Sequence, residues 1–442
     1  MVHRSRFAVA VVAASISIIF PLETRAAEPA GPEPALTASS AAAQALGANP
    51  DLTAASAAIE AARGRLIQAG LWNNPELRLA GRSDVAFQNE GERALGVDFE
   101  QRFPIAGRLG RAKDVARVDV ASALAELREF ERALIGEVQR TVYGVVALDE
   151  AIASRESVIR IAEQLVHHAT RRRQAAEVSD ADVNLLEIEL ARFEQEKRRL
   201  ELARRTEAVR LNRLLYRAAD APVAISTDLA SQAFEPSRIG DPLARRPDLV
   251  RTRLEIDRAR AEGLLARAET WEDWTLGVGY ESDRQVFRDE PTVDPIGVKR
   301  DDFLGASVTV PLPLWNRNQG RELAARADER RAQARLASLE RAAEAEIETA
   351  RRRIEELSIV AREYEQSLLP RSQRNVEILE GGYRQGLVAI TTLVQAQQQL
   401  ADTVLRRAET LGELRQAEVD LETAAAASPL LRTIPSPEEN QP

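Results

Sequence analysis

A long stretch without proline constrains this chain more than any other sequence feature. There is no proline between Ile105 and Ala175, and glycine is rare after the first turns. A helix of about 70 residues at 1.5 Å per residue spans on the order of 100 Å. Along it, apolar residues recur every seven positions, as in a coiled coil. They are Val138, Val145, Ile152, Ile159 and Val166. With only 4% aromatic residues, the chain is expected to form long, thinly packed helices.

The chain contains two copies of one pattern. The segment LGANPDL at 46–52 resembles LARRPDL at 243–249, an offset of 197 residues. The segment RFPIAGRLGR at 102–111 corresponds to the stretch at 310–320, and there the offset is 209. Each copy is predicted to run helix, strand, loop, strand, long helix, turn, long helix. The change of offset predicts 12 extra residues in the second copy, in the loop segment 286–302.

The N-terminus has the features of a secretory signal peptide. Arg4 and Arg6 precede an apolar run at 7–20, and small residues follow up to Ala26. The predicted organisation begins with a signal peptide at 1–26 and a first repeat at 27–217. A linker at 218–242 leads to the second repeat at 243–427, and a disordered tail covers 428–442.

Four short segments alternate between apolar and polar residues, as β-strands do. They are expected at about 75–87, 94–104, 274–287 and 302–313. A soluble sheet with one buried face is the alternative, but four strands offer it little core. Strands of about 10 residues suit a tilted crossing of a bilayer. Because four strands cannot close a barrel, three chains are predicted to share twelve. The fold class is mainly α, a duplicated helical coiled-coil barrel with a small β part.

The strands are predicted to run directly into the long helices. Pro104 and Pro313 end strands where no ladder N–H is needed, and their fixed φ suits the change of direction. Arg108 and Arg317 follow at equivalent positions of the two junctions. A tube that crosses lipid and then water would need such a junction. The alternative interpretation of these segments is an exposed loop before an ordinary helix.

Several function classes find no support in the sequence. The chain has no cysteine, and its net charge of −9 with scattered charges does not favour nucleic-acid binding. No nucleophile–base pair, metal cluster or phosphate loop indicates an enzyme or a cofactor. His167 and His168 are adjacent in a helix and point about 100° apart, so they are not expected to bind a metal together.

Four segments resemble the TolC-type outer-membrane channel components of tripartite efflux systems, in particular the cobalt–zinc–cadmium resistance subgroup. They lie at 70–77, 99–112, 308–320 and 383–400. The resemblance implies a homotrimer with a twelve-stranded barrel in outer-membrane lipid and a helical tunnel in the periplasm. It also implies two partners, an inner-membrane RND-type pump and a periplasmic adaptor (membrane fusion protein).

The resemblance also implies that the turns between the long helices form the tip that docks the adaptor. By the 209-residue offset these turns lie at 177–183 and 386–392. Gly386, Leu387 and Thr391 match the docking motif of the family. Glu177 takes the place of the glycine in the first copy, where Ser179 is the candidate contact.

Two acids in the first turn are candidates for the gate at the tunnel mouth. Three copies each of Asp180 and Asp182 would converge at the axis and favour cations. The alternative is that Ser179 and Asp180 only cap the next helix.

Two other functions would suit the same features. One is the exit channel of a type I protein-secretion or drug-efflux system. The other is a periplasmic coiled-coil adaptor or scaffold, which would lack strands on both sides of the helices and would not need detergent.

Overall fold

The protein is described by a computed structural model that covers residues 35–86, 91–229, 242–287 and 297–431. The predicted signal peptide lies outside these ranges. The first repeat contains α1 (Ala38–Ala48), α2 (Pro50–Ala69), β1 (Glu76–Ser83), β2 (Arg93–Phe103), α3 (Arg108–Gln174) and α4 (Asp180–Leu214). The second contains α5 (Pro242–Arg245), α6 (Pro247–Ala268), β3 (Trp274–Phe287), β4 (Gly297–Thr309), α7 (Gln319–Glu363), a π-helix (Tyr364–Leu368), α8 (Leu369–Arg384) and α9 (Ile390–Ala424).

The mainly helical class with four strands is confirmed. The strands form one antiparallel sheet in the order β1-β2-β3-β4. The helix α3 packs against α1, α2, α4, α6 and α9, while α7 packs against α6 and α9. Among the described residues, none of the helices combines the length and the apolar character that a membrane crossing requires.

The helical part is held by several small apolar clusters rather than one thick core. The largest joins α1, α3, α4 and α9 around Ile135, Val138, Val142 and Leu211, all nearly inaccessible to water. A second lies at the far end of α3 and α9, and smaller ones lie between them. This arrangement follows from long amphipathic helices that share narrow apolar stripes.

Eight of the 12 extra residues of the second copy lengthen its strands, and its hairpin loop gains none. The first hairpin connection runs from Ser83 to Arg93 and the second from Phe287 to Gly297, so each contains nine residues. Residues 297–301, predicted as loop, are paired in the β3–β4 ladder. The apolar–polar alternation is lost there, since residues 299–302 are four charged residues in a row, and the backbone pairing continues without it.

The strand ends differ from the prediction in two further places. The first strand ends at Ser83 because Asp84 closes the hairpin, accepting a hydrogen bond from the Gly91 N–H at 3.0 Å. The fourth strand ends at Thr309 rather than at Pro313. Pro311, which has no N–H to donate, already stops the ladder there.

The sequence predicts that the strands run directly into the helices. In the structure, short irregular links connect them instead. The links are residues 104–107 and 310–318. Each contains a residue with positive φ just before its helix, Gly107 at 71° and Asn318 at 56°. This left-handed conformation changes the chain direction without a long loop.

A π-helix shifts the correspondence of the two copies from 209 to 210 residues. It spans Tyr364–Leu368 and ends with a hydrogen bond from the Leu369 N–H to the Tyr364 carbonyl. Pro370 follows it, lacking an N–H and clashing with a regular helical turn, so a widened turn accommodates its ring. One residue is thereby inserted into the second copy, and the predicted gap-free offset of 209 is wrong beyond this point.

Both segments outside the repeats pack partly against the helices. Leu36 forms a parallel bridge with Ile225 in the predicted linker, whose Val223 and Leu229 are buried in the largest cluster. Leu430 and Leu431 pack against the same cluster. The predicted disordered tail at 428–442 therefore begins too early, and residues 432–442 lie outside the described ranges.

Candidate functional sites

One face of the sheet is apolar and uncovered. The ladder aligns apolar residues in rows that cross all four strands. One row is Leu79, Val97, Tyr280 and Leu304, and the next is Leu77, Phe99, Val278 and Ala306. The large side chains stand open, and Leu79 and Leu304 are 72% and 80% exposed. A continuous apolar surface of this kind is unfavourable in water and suited to lipid.

The opposite face carries ion pairs between strands, two between the neighbours β1 and β2 and one from β1 across to β3. Arg78 lies 3.3 Å from Glu100, and Arg82 lies 3.3 Å from Glu281. Arg102 pairs with a β1 carboxylate in the same way, at 3.0 Å. Because side chains alternate along a strand, this charged face is the inside of any tube that the sheet helps to form.

All four tryptophans of the chain lie at the junction between the sheet and the helices. They are Trp72, Trp271, Trp274 and Trp315. Each is at least 40% exposed, and the Trp72 ring contacts Phe103 edge-on, with centroids 5.8 Å apart. Exposed tryptophan is enriched where a membrane meets water. The sequence analysis did not use this clustering, although the positions beside the strands would have revealed it.

The two junction arginines make different contacts. Arg108 binds Asp273 of the second repeat through two hydrogen bonds, 3.1 and 2.8 Å long. Arg317 instead donates to the carbonyl of Pro313 in its own link, at 3.3 Å. Of the two junction arginines, Arg108 is therefore the one whose ion pair joins the two repeats.

The two predicted tip turns come together at the end of the helices remote from the sheet. They span residues 175–179 and 385–389. In each, two backbone N–H groups close the preceding helix. Glu177 and Leu387 donate to the carbonyls of Arg172 and Gly382, both at 2.9 Å. These equivalent bonds are 210 residues apart.

This correspondence corrects the predicted equivalence of Glu177 and Gly386. Ala176 occupies the left-handed position in the first turn, with φ of 59°, and Gly386 occupies it in the second, with φ of 74°. A residue without Cβ adopts that conformation at no steric cost, whereas alanine is strained. The docking candidates Leu387 and Thr391 are exposed, and Leu387 is 77% accessible.

Ser179 and the two candidate gate acids have distinct local roles. Ser179 caps α4 by accepting from the Asp182 N–H at 3.2 Å, and its hydroxyl donates to the Asp182 carboxylate at 2.8 Å. The Asp180 side chain is 83% exposed and lies 3.6 Å from Arg173. Asp182 is thus engaged in the cap, and Asp180 is the acid that faces solvent.

Arg172, which the sequence analysis did not single out, joins the two turns. Its guanidinium donates to the Tyr383 carbonyl at 3.3 Å and lies 5.5 Å from the centre of the Tyr383 ring. Tyr383 is buried among Leu165, Ala169 and Leu393, and this burial raises the pKa of its hydroxyl. Only the folded contact distinguishes Arg172 from its neighbours in a run of three arginines.

The two histidines lie near this end. The His167 ring nitrogen accepts a hydrogen bond from Arg171 at 3.0 Å. Within the described segments, no three histidine, aspartate or glutamate side chains are placed to hold a metal ion.

Comparison with known proteins identifies this architecture. Residues 239–427 match the family model of outer membrane efflux proteins. The chain is 23% identical, over 379 residues, to the cobalt-zinc-cadmium resistance protein CzcC of Cupriavidus metallidurans, covering 82% of this chain and 83% of that protein.

Solved structures share the fold. The outer membrane protein VceC of Vibrio cholerae superposes with a TM-score of 0.68 at 18% identity, covering 88% of this chain and 95% of that one. For CusC the TM-score is 0.72 at 16% identity, with 88% and 91% covered. For the MtrE outer membrane channel of Neisseria gonorrhoeae it is 0.68 at 15% identity, with 88% of each chain covered.

The fold of the chain is the one found in the solved outer membrane proteins VceC and CusC. Residues 239–427 match the outer membrane efflux family, and the chain as a whole is similar to CzcC. The proteins that it resembles are outer-membrane channels with a large helical part in the periplasm, and they are conduits rather than enzymes.

Proposed function

We propose that this protein is the exit duct through which a tripartite system exports divalent heavy-metal cations. In this proposal an inner-membrane RND-type pump delivers the cations through a periplasmic adaptor, and three copies of the chain form the duct. The observation that carries the proposal is the sheet, whose apolar face is uncovered and whose two edges are unpaired among the described residues.

The free edges support assembly of three copies. In lipid, unpaired strand edges are very unfavourable, so β4 of one copy must pair with β1 of the next. The internal duplication supports a specific contact in that pairing. Glu76 lies 197 residues before Asp273, the partner of Arg108, and Arg317 lies 209 residues after Arg108. Arg317 of one copy is therefore expected to meet Glu76 of the next.

A charge exchange tests this contact. Arg317→Glu alone should lower the yield of the assembled oligomer in native mass spectrometry, and Glu76→Arg added to it should restore the yield. Glu76→Arg alone also loses its contact with Arg102 and serves as the second single variant. Equal yields for the single and double variants would show that the edges do not meet in this register.

The exposed turns at the far end support adaptor docking. Gly386, Leu387 and Thr391 form the second turn and its following helix start, and Ser179 lies in the first turn. Asp180, the solvent-facing acid, is proposed to form the cation-attracting ring at the mouth, with Asp182 stabilising the cap beside it.

The metal cargo is supported by the similarity to CzcC. The test compares a strain lacking the gene with the same strain carrying the wild type, a Leu387→Asp variant or a surface control, Leu202→Asp. Leu387 and Leu202 are both exposed, but Leu202 lies in the middle of α4. The deletion and Leu387→Asp are expected to sensitise cells to zinc, cobalt or cadmium, and Leu202→Asp to leave growth unchanged.

Two results would contradict the proposal. Unchanged tolerance of the deletion strain to zinc, cobalt, cadmium, copper and nickel would remove the metal cargo. Increased sensitivity to organic compounds alone, or loss of a secreted protein, would assign the duct to drug efflux or to protein secretion.

A further inference from the structure

A row of arginines crosses the apolar face of the sheet near its hairpin end, with the Val286–Val298 pair one row beyond it. Arg93, Arg284 and Arg300 are register partners on β2, β3 and β4, and Ser83 completes the row on β1. Side chains of one row point to the same side of a sheet. The arginines therefore lie on the same face as Leu79, Val97 and the other lipid-facing residues, not on the charged inner face.

The row has a surplus of positive charge. The Arg300 guanidinium donates to Ser282 at 3.0 Å and lies 3.6 Å from Asp302. In the part of the chain that the structure describes, Arg93 and Arg284 form no ion pair. Arg93 is exposed and Arg284 half-buried. Asp302 is the acid in ion-pair contact with this row, while Asp84, Glu92 and Asp283 line the same depression as Arg93 and Arg284.

The position of the row matches the depth of a lipid headgroup. Ten residues of β2 separate Arg93 from Phe103, which pairs with Trp274 at the tryptophan-rich end. At about 3.3 Å per residue this is roughly 33 Å along the strand, or about 24 Å across a membrane for a tilt near 45°. The apolar band of membrane barrels is about 25 Å tall. The arginines thus lie at the boundary opposite to the helices.

Lipid contact at this depth has a defined chemistry. A lipid-facing arginine costs about 2–4 kcal/mol at the bilayer midplane but only about 0–1 near the interface. Guanidinium groups bind phosphate in a bidentate manner. Neighbouring strands are about 4.8 Å apart, so the three arginines span about 10 Å. That width allows them to bind two phosphates of one headgroup.

We propose that Arg93, Arg284 and Arg300 form a binding site for phosphorylated lipid in the leaflet at the hairpin end, which is the outer leaflet because the helices lie in the periplasm. The ligand class is a lipid whose headgroup bears phosphate, with two phosphates on a disaccharide as the best fit. The site goes beyond the exit-duct function and rests on the sheet lying in the outer membrane with the helices in the periplasm.

The test compares two triple variants with the same loss of charge. The site variant is Arg93→Gln, Arg284→Gln and Arg300→Gln. The control variant removes three cations from the opposite face of the same sheet, by Arg78→Gln, Arg82→Gln and Lys299→Gln. Delipidated full-length protein in detergent is mixed with diphosphorylated lipid A, dephosphorylated lipid A or phosphatidylethanolamine, and bound lipid is counted by native mass spectrometry.

The wild type and the control variant are expected to bind diphosphorylated lipid A at least about tenfold more tightly than the site variant does. Equal binding by the site variant, equal loss in the control, or equal binding of the dephosphorylated lipid would overturn the proposal. Displacement of the lipid by millimolar inorganic phosphate would show a phosphate site without lipid specificity, which also contradicts it.

If the triple variant does not assemble, the three single substitutions are tested instead. Each of the three is expected to weaken lipid binding by about threefold to tenfold, and wild-type binding should weaken with added salt. Measuring metal export by the same variant distinguishes a failure of the lipid-site proposal from a failure of the exit-duct proposal. If export by the site variant is intact while lipid binding is unchanged, only the lipid site is refuted.

Discussion

The two repeats of the chain have the same order of helices and strands, but they differ in the long helix after the strands and in the turn that follows it. In the first repeat, α3 continues without interruption from Arg108 to Gln174, whereas the second needs α7, a π-helix and α8 for the same distance. The first turn has alanine in the left-handed position and the second has glycine. The comparison shows that both repeats keep the same helix packing. An inserted residue or an unfavourable backbone conformation is accommodated within a single turn.

The largest effect is expected from deleting one residue at the equivalent positions of the two long helices, Ser157 and Ser367. Loss of Ser157 rotates the rest of α3 by about 100° and removes Val158, Ala162 and Leu165 from the core. Because each large side chain lost costs about 2–5 kcal/mol, no folded protein is expected.

Deletion of Ser367 removes the residue that the π-helix accommodates, so the packing of α8 should persist. Pro370→Ala is included because proline disfavours the regular helix that results. Circular dichroism melting of detergent-solubilised protein should show a folded variant close to Pro370→Ala alone. Equal loss of structure after either deletion would contradict the assignment of the π-helix as an insertion.

The second effect concerns the junction arginines. Arg108 and Asp273 are mostly buried, at 27% and 13% side-chain exposure, so Arg108→Gln should cost about 2 kcal/mol. In a double-mutant cycle with Asp273→Asn, the two losses should not add, since both remove the same pair. Additive losses in thermal unfolding would mean that the pair does not stabilise the link between repeats.

The third effect is an exchange at the left-handed positions of the tip. Gly386→Ala should destabilise the protein by about 1 kcal/mol, and Ala176→Gly should stabilise it by a similar or smaller amount. A Cβ at Gly386 meets no atom within 4 Å, so backbone strain alone is measured. Chemical denaturation checks both, and a loss at Ala176→Gly would show that the two turns are not equivalent.

The smallest effect concerns Glu422, which is equivalent to the buried Asn212 of the first repeat. Burial raises the pKa of Glu422 above its usual 4.5, opposed by a hydrogen bond from Ser428. The folded protein therefore loses stability as the pH rises from the unfolded pKa through the folded one. Glu422→Gln should gain about 1 kcal/mol or less at pH 8 and nothing at pH 4. A gain independent of pH would exclude this cause.

Much of the fold could be predicted from the sequence because its signals are local. Alternation in the strands and the seven-residue spacing in α3 each depend on neighbouring residues, and the duplication repeats them. The π-helix could not be predicted, since one inserted residue hardly disturbs an apolar stripe; Pro370 was visible but indicated only a bend. The strand ends differ because Asp84 accepts a hydrogen bond from Gly91 that closes the hairpin, and because Pro311 has no N–H to continue the ladder.

Fewer of the candidate-site residues could be predicted, because their contacts join residues that are far apart in the sequence. Leu387 and Thr391 are named by a motif, but the contact of Arg172 with Tyr383 joins residues 211 positions apart. The arginine row is likewise invisible until the pairing of β2, β3 and β4 is known. Arg93 and Arg284 did interrupt the apolar alternation, which is the one sequence signal of that row.

The central claim is that the apolar face of the sheet meets lipid while the charged face lines water. The chain has no cysteine, so single cysteines carrying a nitroxide can be placed without background. Labels at Leu79, Val97 and Val278 in reconstituted membranes should relax with oxygen, and labels at Arg78, Asp98 and Gly279 with a water-soluble nickel complex. The same relaxant acting on both sets, or the reverse pattern, would contradict the account.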